Sequence, residues 1–175
     1  MQVALQKPWA EFLAAVDGGL SEAVSLAVIG GFPLATAYGL PRPTNDIDYV
    51  AVTPAAAAET IELIGGRDSV LAKRYRICFQ HVGVADLPED YEGRLTELEV
   101  DLHRLHLWML DPYDLLLSKL PRNSPKDRED VKFIARKLQL QYDIIYARWT
   151  AEMKPWISNP ERHELTLQQL WKEYF

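Results

Sequence analysis

The chain has 175 residues, of which 48% are hydrophobic and 25% are charged, a composition typical of a compact globular protein. This composition excludes disordered, collagen-like and low-complexity proteins. The net charge of −6, from 19 basic and 25 acidic residues, indicates that the protein as a whole is not an electrostatic binder of nucleic acid.

Helices and strands are predicted to alternate over the first part of the chain. In order they are a helix over 8–18, a strand over 24–29, a helix over 32–38 ended by Gly39, a strand over 46–53 and a helix over 54–63. Residues 70–85 predict one strand or a hairpin, 86–100 a long polar loop, and 102–110 a strand.

The rest of the chain is predicted to be helical. Helices are expected over 111–120 with Asp111 as N-cap, then over 124–138, 140–153 and 163–174. We therefore predict an α/β (α+β) fold: a mixed, twisted sheet flanked by helices over 1–110, followed by a helical C-terminal region over 111–175 that packs on it.

The sequence shows no membrane-spanning or signal segment and contains one cysteine. No apolar run approaches the ~18 residues of a membrane span, and no signal peptide is visible, so a cytoplasmic protein without a membrane partner is expected. Cys78 is the only cysteine, which excludes an intrachain disulfide and a cysteine-based zinc site.

Basic residues are concentrated in one segment. Residues 1–100 hold 14 acids and 7 bases, whereas residues 119–137 hold 7 bases and 3 acids. A locally basic segment in an acidic protein suggests a polyanion held there. A solvated helix face with i,i+4 ion pairs explains the same pattern.

Residues 30–50 carry the features that point to chemistry. Gly30 and Gly31 lie between a predicted strand and a predicted helix, where the backbone can approach a ligand closely and the helix N-terminus offers N–H groups to an anion. Arg42 and Thr44 follow, and both have side chains that bind phosphate oxygens. The sequence contains neither GxGxxG nor GxxxxGK[ST], which argues against a Rossmann or P-loop cradle.

Asp46 and Asp48 lie two residues apart on a predicted strand, so both carboxylates are expected on one face. Two carboxylates on one face repel each other unless a cation lies between them. Oxygen ligands of this kind favour Mg²⁺ or Mn²⁺. A phosphate cradle beside a divalent-metal pair predicts metal-assisted phosphoryl or nucleotidyl transfer.

The segment GGFPLATAYGLPRPTNDID resembles the signature of the DNA polymerase beta-type nucleotidyltransferase superfamily, and in particular its small bacterial branch of AbiEii-type (type IV toxin–antitoxin) proteins. The resemblance implies a minimal nucleotidyltransferase fold. It also implies that Gly30, Gly31, Arg42 and Thr44 bind the nucleotide, and that Asp46 and Asp48 are catalytic metal ligands.

A second stretch, DPYDLLLSKLPRNSPKDREDV, resembles later AbiEii-type motifs, in which a lysine on one helix and an aspartate opening the next face the active site. Lys119 and Asp127 match those positions, so the resemblance implies catalytic roles for both and nucleotide binding by Lys119. Lys119 has an ordinary alternative, because a lysine among leucines can snorkel at the edge of a core.

One departure from the superfamily pattern concerns a third carboxylate, which its members usually carry on a later strand. The predicted strand from Arg74 to Val84 has no acid. Asp86 and Asp101, near the ends of predicted strands, and Asp127 on its helix are the candidates to replace it.

The predicted function is a Mg²⁺-dependent (or Mn²⁺-dependent) nucleotidyltransferase that moves a nucleoside monophosphate from an NTP to a hydroxyl acceptor. The resemblance suggests RNA as acceptor, with a transfer-RNA 3′ end as one form, and a toxin that pairs with a cognate antitoxin protein. Two alternatives stay open: a degenerate module that binds nucleotide or a partner protein, and transfer to a small molecule.

Overall fold

The computed structural model describes residue 3 and residues 5–174. They fall into two compact units: the described residues up to Val84 with Leu95–Met109, and Ala85–Arg94 with the described residues from Leu110 onward. The predicted fold class is confirmed, because a mixed five-stranded sheet with flanking helices is followed by a helical C-terminal part. The division after residue 110, and the packing of 111–175 on the core, stay predictions.

The first unit contains the whole sheet. Its elements are α1 (Trp9–Gly19), β1 (Val24–Ile29), α2 (Gly31–Tyr38), β2 (Asp46–Thr53), α3 (Ala58–Gly65), α4 (Val70–Tyr75), β3 (Cys78–His81), β4 (Thr96–Leu98) and β5 (Leu105–Met109). The strand order is β3-β2-β1-β5-β4. The β1–β2 and β4–β5 pairs are antiparallel, whereas β1–β5 and β2–β3 are parallel.

The core of this unit forms where the apolar stripe of α1 meets the sheet. Phe12, Leu13 and Val16 recur at helical spacing and are fully buried. The ring of Phe12 lies 5.4 Å from that of Phe79 on β3. The central strand β1 is apolar and almost wholly buried, as expected for a strand covered on both faces.

The prediction of one strand or a hairpin over 70–85 is wrong. The Ser69 side chain accepts a hydrogen bond from the Ala72 N–H and so begins the short helix α4. Arg76, with a left-handed φ of 57°, ends it. Only Cys78–His81 then pairs as a strand, because local capping outweighs the alternating pattern. The predicted loop over 86–100 likewise contains the short strand β4.

The second unit is helical, with α5 (Pro112–Leu117), α6 (Pro125–Leu138), α7 (Tyr142–Arg148) and α8 (Pro160–Tyr174). Within it, the Arg94 guanidinium donates to Asp114 and to Glu152, and Arg148 donates to Asp111 and Asp114. The Arg94 pairs hold the segment 85–94 against the helices, and the Arg148 pairs join α7 to the start of α5. No helix of the described residues has both the length and the apolar character that crossing a bilayer requires.

The buried carboxylate of Asp17 joins the end of α1 to the start of β5. It accepts backbone N–H bonds from His103, Arg104 and Leu105 at 3.1, 2.7 and 2.8 Å. Burial alone would raise the pKa of Asp17. The three N–H donors have the larger combined effect, so the pKa of Asp17 lies below its ordinary value.

We expect Asp17→Asn to lower the free energy of unfolding by about 2 kcal/mol at pH 7, because an amide replaces one acceptor oxygen by a donor facing N–H groups. The difference from wild type should shrink as the pH falls below about 4, where the unfolded carboxyl takes up a proton. Urea denaturation measures both effects. The exposed Asp101 provides the control, since Asp101→Asn should change stability by less than about 0.5 kcal/mol. Equal stability of the two variants would contradict the assignment.

Candidate nucleotide and metal site

The acidic pair lies on β2 with its side chains on one face of the strand. Asp46 and Asp48 are half-buried, whereas Ile47 and Tyr49 between and after them are buried, at 0% and 2% exposure. The predicted alternation is therefore confirmed. Both carboxylates reach the side of the sheet away from the apolar residues of β2.

The turn after β1 brings backbone directly against one of these carboxylates. Ile29 is the register partner of Asp48, and Gly30 follows with φ 77° and ψ −141°, a conformation that essentially only glycine adopts. A Cβ atom on Gly30 would lie 2.6 Å from Oδ2 of Asp48. The position therefore needs glycine for two separate reasons, backbone conformation and space.

The side chains of Arg42 and Thr44 lie close to the start of α2, and their predicted role in nucleotide binding stays a prediction. A Cβ atom on Gly31 would lie 3.6 Å from Oγ1 of Thr44 and 3.8 Å from Nη2 of Arg42. The Thr44 hydroxyl donates to the Asp46 carbonyl at 3.1 Å, and Trp9 Nε1 donates to the Thr44 carbonyl at 3.2 Å. These bonds fix the segment between α2 and β2.

The N-terminus of α2 completes this cradle. Its N-cap is Gly30, which has no side chain to accept bonds from the N–H groups of the first turn. Such N–H groups, aligned with the positive end of the helix dipole, attract an anion. A cation, a hydroxyl and a helix N-terminus thus surround Gly31, within one unit of the structure.

On the other side of the pair, β3 contributes residues that sequence reasoning did not assign to the site. Its register places Cys78 beside Asp46 and Gln80 beside Asp48. The Cys78 thiol donates to Oδ1 of Asp46 at 3.4 Å, and Arg67 Nη2 donates to Oε1 of Gln80 at 3.0 Å. Burial, and then the neighbouring Asp46, raise the pKa of Cys78, so the thiol stays protonated at neutral pH.

The donor set fits a hard divalent cation that takes few ligands from the protein. Within the described part of the chain, no three His, Cys, Asp or Glu side chains cluster as a metal site. Mg²⁺ commonly binds through one or two carboxylates and completes its shell with water and substrate phosphates. Asp46 and Asp48 beside the N-terminus of α2 are compatible with that requirement, although their role as ligands stays a prediction.

A cavity of about 450 Å³ opens beside the same segment. Arg42 and Thr44 form part of its wall, together with Trp9, Pro41 and Asn45. Its volume lies within the range of small-molecule sites, roughly 300–1,000 Å³. The residues that face Gly31 therefore also border a space large enough for a small ligand.

A family model described as "Nucleotidyltransferase of unknown function (DUF6036)" matches residues 11–175 of the chain. The chain belongs to this nucleotidyltransferase family. The curated proteins and the solved structures give no match to it. The AbiEii-type branch remains a prediction from the resemblance alone.

In the second unit of this family member, Lys119 lies in a buried ion cluster. Its side chain is 7% exposed, and Nζ lies 2.9 Å from Oδ2 of Asp130 and 3.8 Å from Oδ1 of Asp127. A buried ammonium between two carboxylates is a structural element in its own right, because removing it leaves uncompensated buried charge. The predicted catalytic role of Lys119 remains untested by these contacts.

Asp127 is also held locally, as the third residue of α6. Ser124 and Asp127 form a reciprocal capping box, and Arg122 donates to both Asp127 oxygens, at 2.7 and 2.6 Å. Burial raises the pKa of Asp127, but the bonds from Arg122 and Ser124 outweigh it and bring the pKa to about 2. The capping contacts explain this buried aspartate without a ligand, and its predicted site role stays a prediction.

For the glycine turn, we expect Gly30→Ala to abolish saturable Mn²⁺ binding, because the new methyl group would push the Asp48 carboxylate aside. Mn²⁺ binding is measured by electron paramagnetic resonance on the full chain. Gly39→Ala is the matched control: Gly39 also has a positive φ of 73°, but a Cβ there meets nothing within 4 Å. Gly39→Ala should lower the stability of the protein but bind Mn²⁺ with wild-type affinity. Mn²⁺ binding by Gly30→Ala at wild-type affinity would contradict the proposed geometry.

For the capping box, we expect Asp127→Asn to destabilise the protein by about 2 kcal/mol at pH 7, the linkage value of a carboxyl whose pKa falls from 3.8 to about 2 on folding. The contribution is complete above pH 4 and is lost as the pH falls toward 2, so the two unfolding curves should converge there. Chemical denaturation at several pH values tests this. If the difference in free energy of unfolding between wild type and Asp127→Asn stays constant down to pH 2, the charge of the capping carboxylate does not cause that difference.

Proposed function

We propose that this family member is an active, Mg²⁺-dependent nucleotidyltransferase. The hydroxyl oxygen of an acceptor forms a bond to the α-phosphorus of a nucleoside triphosphate. The bond between the α-phosphorus and the bridging oxygen to the β-phosphate breaks, pyrophosphate leaves, and the hydroxyl proton passes to solvent. The acceptor then carries a nucleoside monophosphate.

The observation that carries this proposal is the contact of Asp48 with Gly30 at the start of α2. It brings a carboxylate pair suited to a divalent cation next to a helix N-terminus suited to phosphate. A divalent ion held by the pair would supply positive charge to the phosphate oxygens, so nucleotidyl transfer requires the two sites to lie side by side. Either feature alone is also found in an ordinary turn or a solvated strand, whereas their contact supports the proposed chemistry.

Within this proposal the side chains have separate tasks. Asp46 and Asp48 would hold the Mg²⁺, which when bound supplies positive charge to the phosphate oxygens. The N–H groups at Gly31 and the guanidinium of Arg42 orient the triphosphate. The cavity bordered by Trp9 and Asn45 then has room for the nucleoside.

Further roles in the proposal rest on the AbiEii-type resemblance. They are triphosphate binding by Lys119, completion of the metal site or orientation of the acceptor by Asp127, RNA such as a transfer-RNA 3′ end as acceptor, and action as a toxin with a cognate antitoxin. Growth arrest on expression, relieved by a small regulator from the neighbouring gene, would support the toxin role.

A second candidate is a nucleotide-binding module without turnover. The register of β3 favours it, because the positions beside Asp46 and Asp48 hold Cys78 and Gln80 rather than an acid. A protonated thiol and an amide do not accept a proton from an attacking hydroxyl. NTP binding with no labelled product on RNA, protein or small acceptors would identify this module.

We expect Asp46→Asn and Asp48→Asn each to reduce transfer of label from α-³²P-NTP to total RNA by roughly 100-fold or more in the presence of Mg²⁺, because each removes charge that the metal requires. Asp68→Asn, at an exposed acid of the same unit, is the control and should label at the wild-type rate. Circular dichroism checks that all three variants fold. Undiminished labelling by Asp48→Asn would refute the two-carboxylate mechanism.

A further inference from the structure

The helix α6 separates its charges between its two sides. Asp127 and Asp130 are each 1% exposed and pair inside the unit with Lys119 and Arg122. The outer side instead carries five bases, of which Lys132 is half-buried and the others are exposed: Lys126, Arg128, Lys132, Arg136 and Lys137. Glu129 is the one exposed acid of the helix. We call these five bases with Glu129 and Phe133 the α6 outer face.

Helix stability explains only part of this face. Arg136 and Lys137 lie in the last turn, where cations complement the helix dipole. Lys126 and Arg128 lie near the first turn, where cations oppose it. Arg128 also donates to Asn123 Oδ1 at 3.0 Å. The helix dipole alone therefore does not explain bases at both ends of one helix in a protein of net charge −6, and an anionic ligand supplies a further reason for them.

The distal half of the face is shaped as well as charged. Glu129, Lys132, Phe133, Arg136 and Lys137 line a shallow groove of about 440 Å³. Phe133 is half-buried, so part of its ring is accessible among the cations. Cations beside an accessible aromatic ring are the combination that binds single-stranded nucleic acid, through phosphate contacts and base stacking.

We infer that the α6 outer face binds single-stranded RNA, with phosphates on its lysines and arginines and a base against Phe133. From Lys126 to Lys137 the row extends about 16 Å at 1.5 Å per residue, enough for several phosphates. The choice of RNA among polyanions rests on the proposed function, in which RNA is the acceptor. The charge and shape of the face stand independently of it.

The test is fluorescence anisotropy of a labelled 20-nucleotide RNA with the full-length protein, at 50 and 200 mM KCl. Arg136→Glu with Lys137→Glu should weaken binding at least tenfold at 50 mM KCl. It should also flatten the slope of log affinity against log salt by about 1.4, the value for two phosphate contacts on a single strand. Phe133→Ala should weaken binding by about tenfold, with the slope unchanged, since it removes stacking alone.

A matched control exists in α4, whose last turn also carries two exposed neighbouring bases, Lys73 and Arg74. Lys73→Glu with Arg74→Glu makes the same change in net charge and should weaken RNA binding by less than threefold. Equal losses in the two double variants would show a general charge effect and overturn the inference. Binding to phosphatidylserine vesicles, with no RNA binding by wild type, would also overturn it.

The outcome is separable from that of the proposed function. Asp48→Asn should abolish label transfer and leave RNA affinity unchanged, whereas the α6 double variant should weaken RNA binding and leave NTP affinity unchanged. RNA binding lost in the α6 variant of a protein that never labels RNA supports the face and rejects RNA as the acceptor. Labelling with RNA affinity unaffected by the α6 variant supports catalysis and rejects the face.

Discussion

The close approach of the Asp48 carboxylate to the Gly30 backbone is the constraint on which the candidate site depends. A side chain at residue 30 would be strained by the positive φ of the turn and would meet Oδ2 of Asp48 at 2.6 Å, so the Asp48 carboxylate would have to move. The turn conformation and the strand pairing of Ile29 with Asp48 reinforce each other. Together they fix the start of α2, and therefore its N–H groups, next to the acidic pair.

Charged and polar side chains flank the acidic pair on both sides along the sheet. Asp48 lies against the turn after β1, whereas Asp46 accepts a bond from the Cys78 thiol on β3. Arg42 stands on the first side, at the start of α2, and Arg67 on the second, bonded to Gln80. An acidic pair with an arginine on each flank suits an ion in the middle and anionic groups on both sides.

Sequence reasoning predicted those parts of the site that depend on local spacing. The strand bounds at 24–29 and 46–53, the glycine turn and the shared face of Asp46 and Asp48 follow from periodicity and are confirmed. The partners on β3 could not be predicted, because they depend on a parallel register between strands about thirty residues apart. Residues 70–75 form a helix, and only Cys78–His81 forms a strand. The alternating pattern over 70–85 therefore does not indicate which residue of β3 lies beside Asp46.

The spacing of residues in the sequence also does not reveal burial. Burial changes how the effects of mutating Lys119 and Asp127, the two predicted site residues of the second unit, must be interpreted. Lys119, in the turn after α5, pairs inside the second unit with Asp127 and Asp130 on α6, so a loss of activity on changing Lys119 or Asp127 does not by itself report on catalysis. Asp46 and Asp48 are half-buried on an open face, and an amide there removes charge with little loss of packing. The acidic pair therefore gives the cleaner test, since its variants separate an effect on the reaction from an effect on the fold.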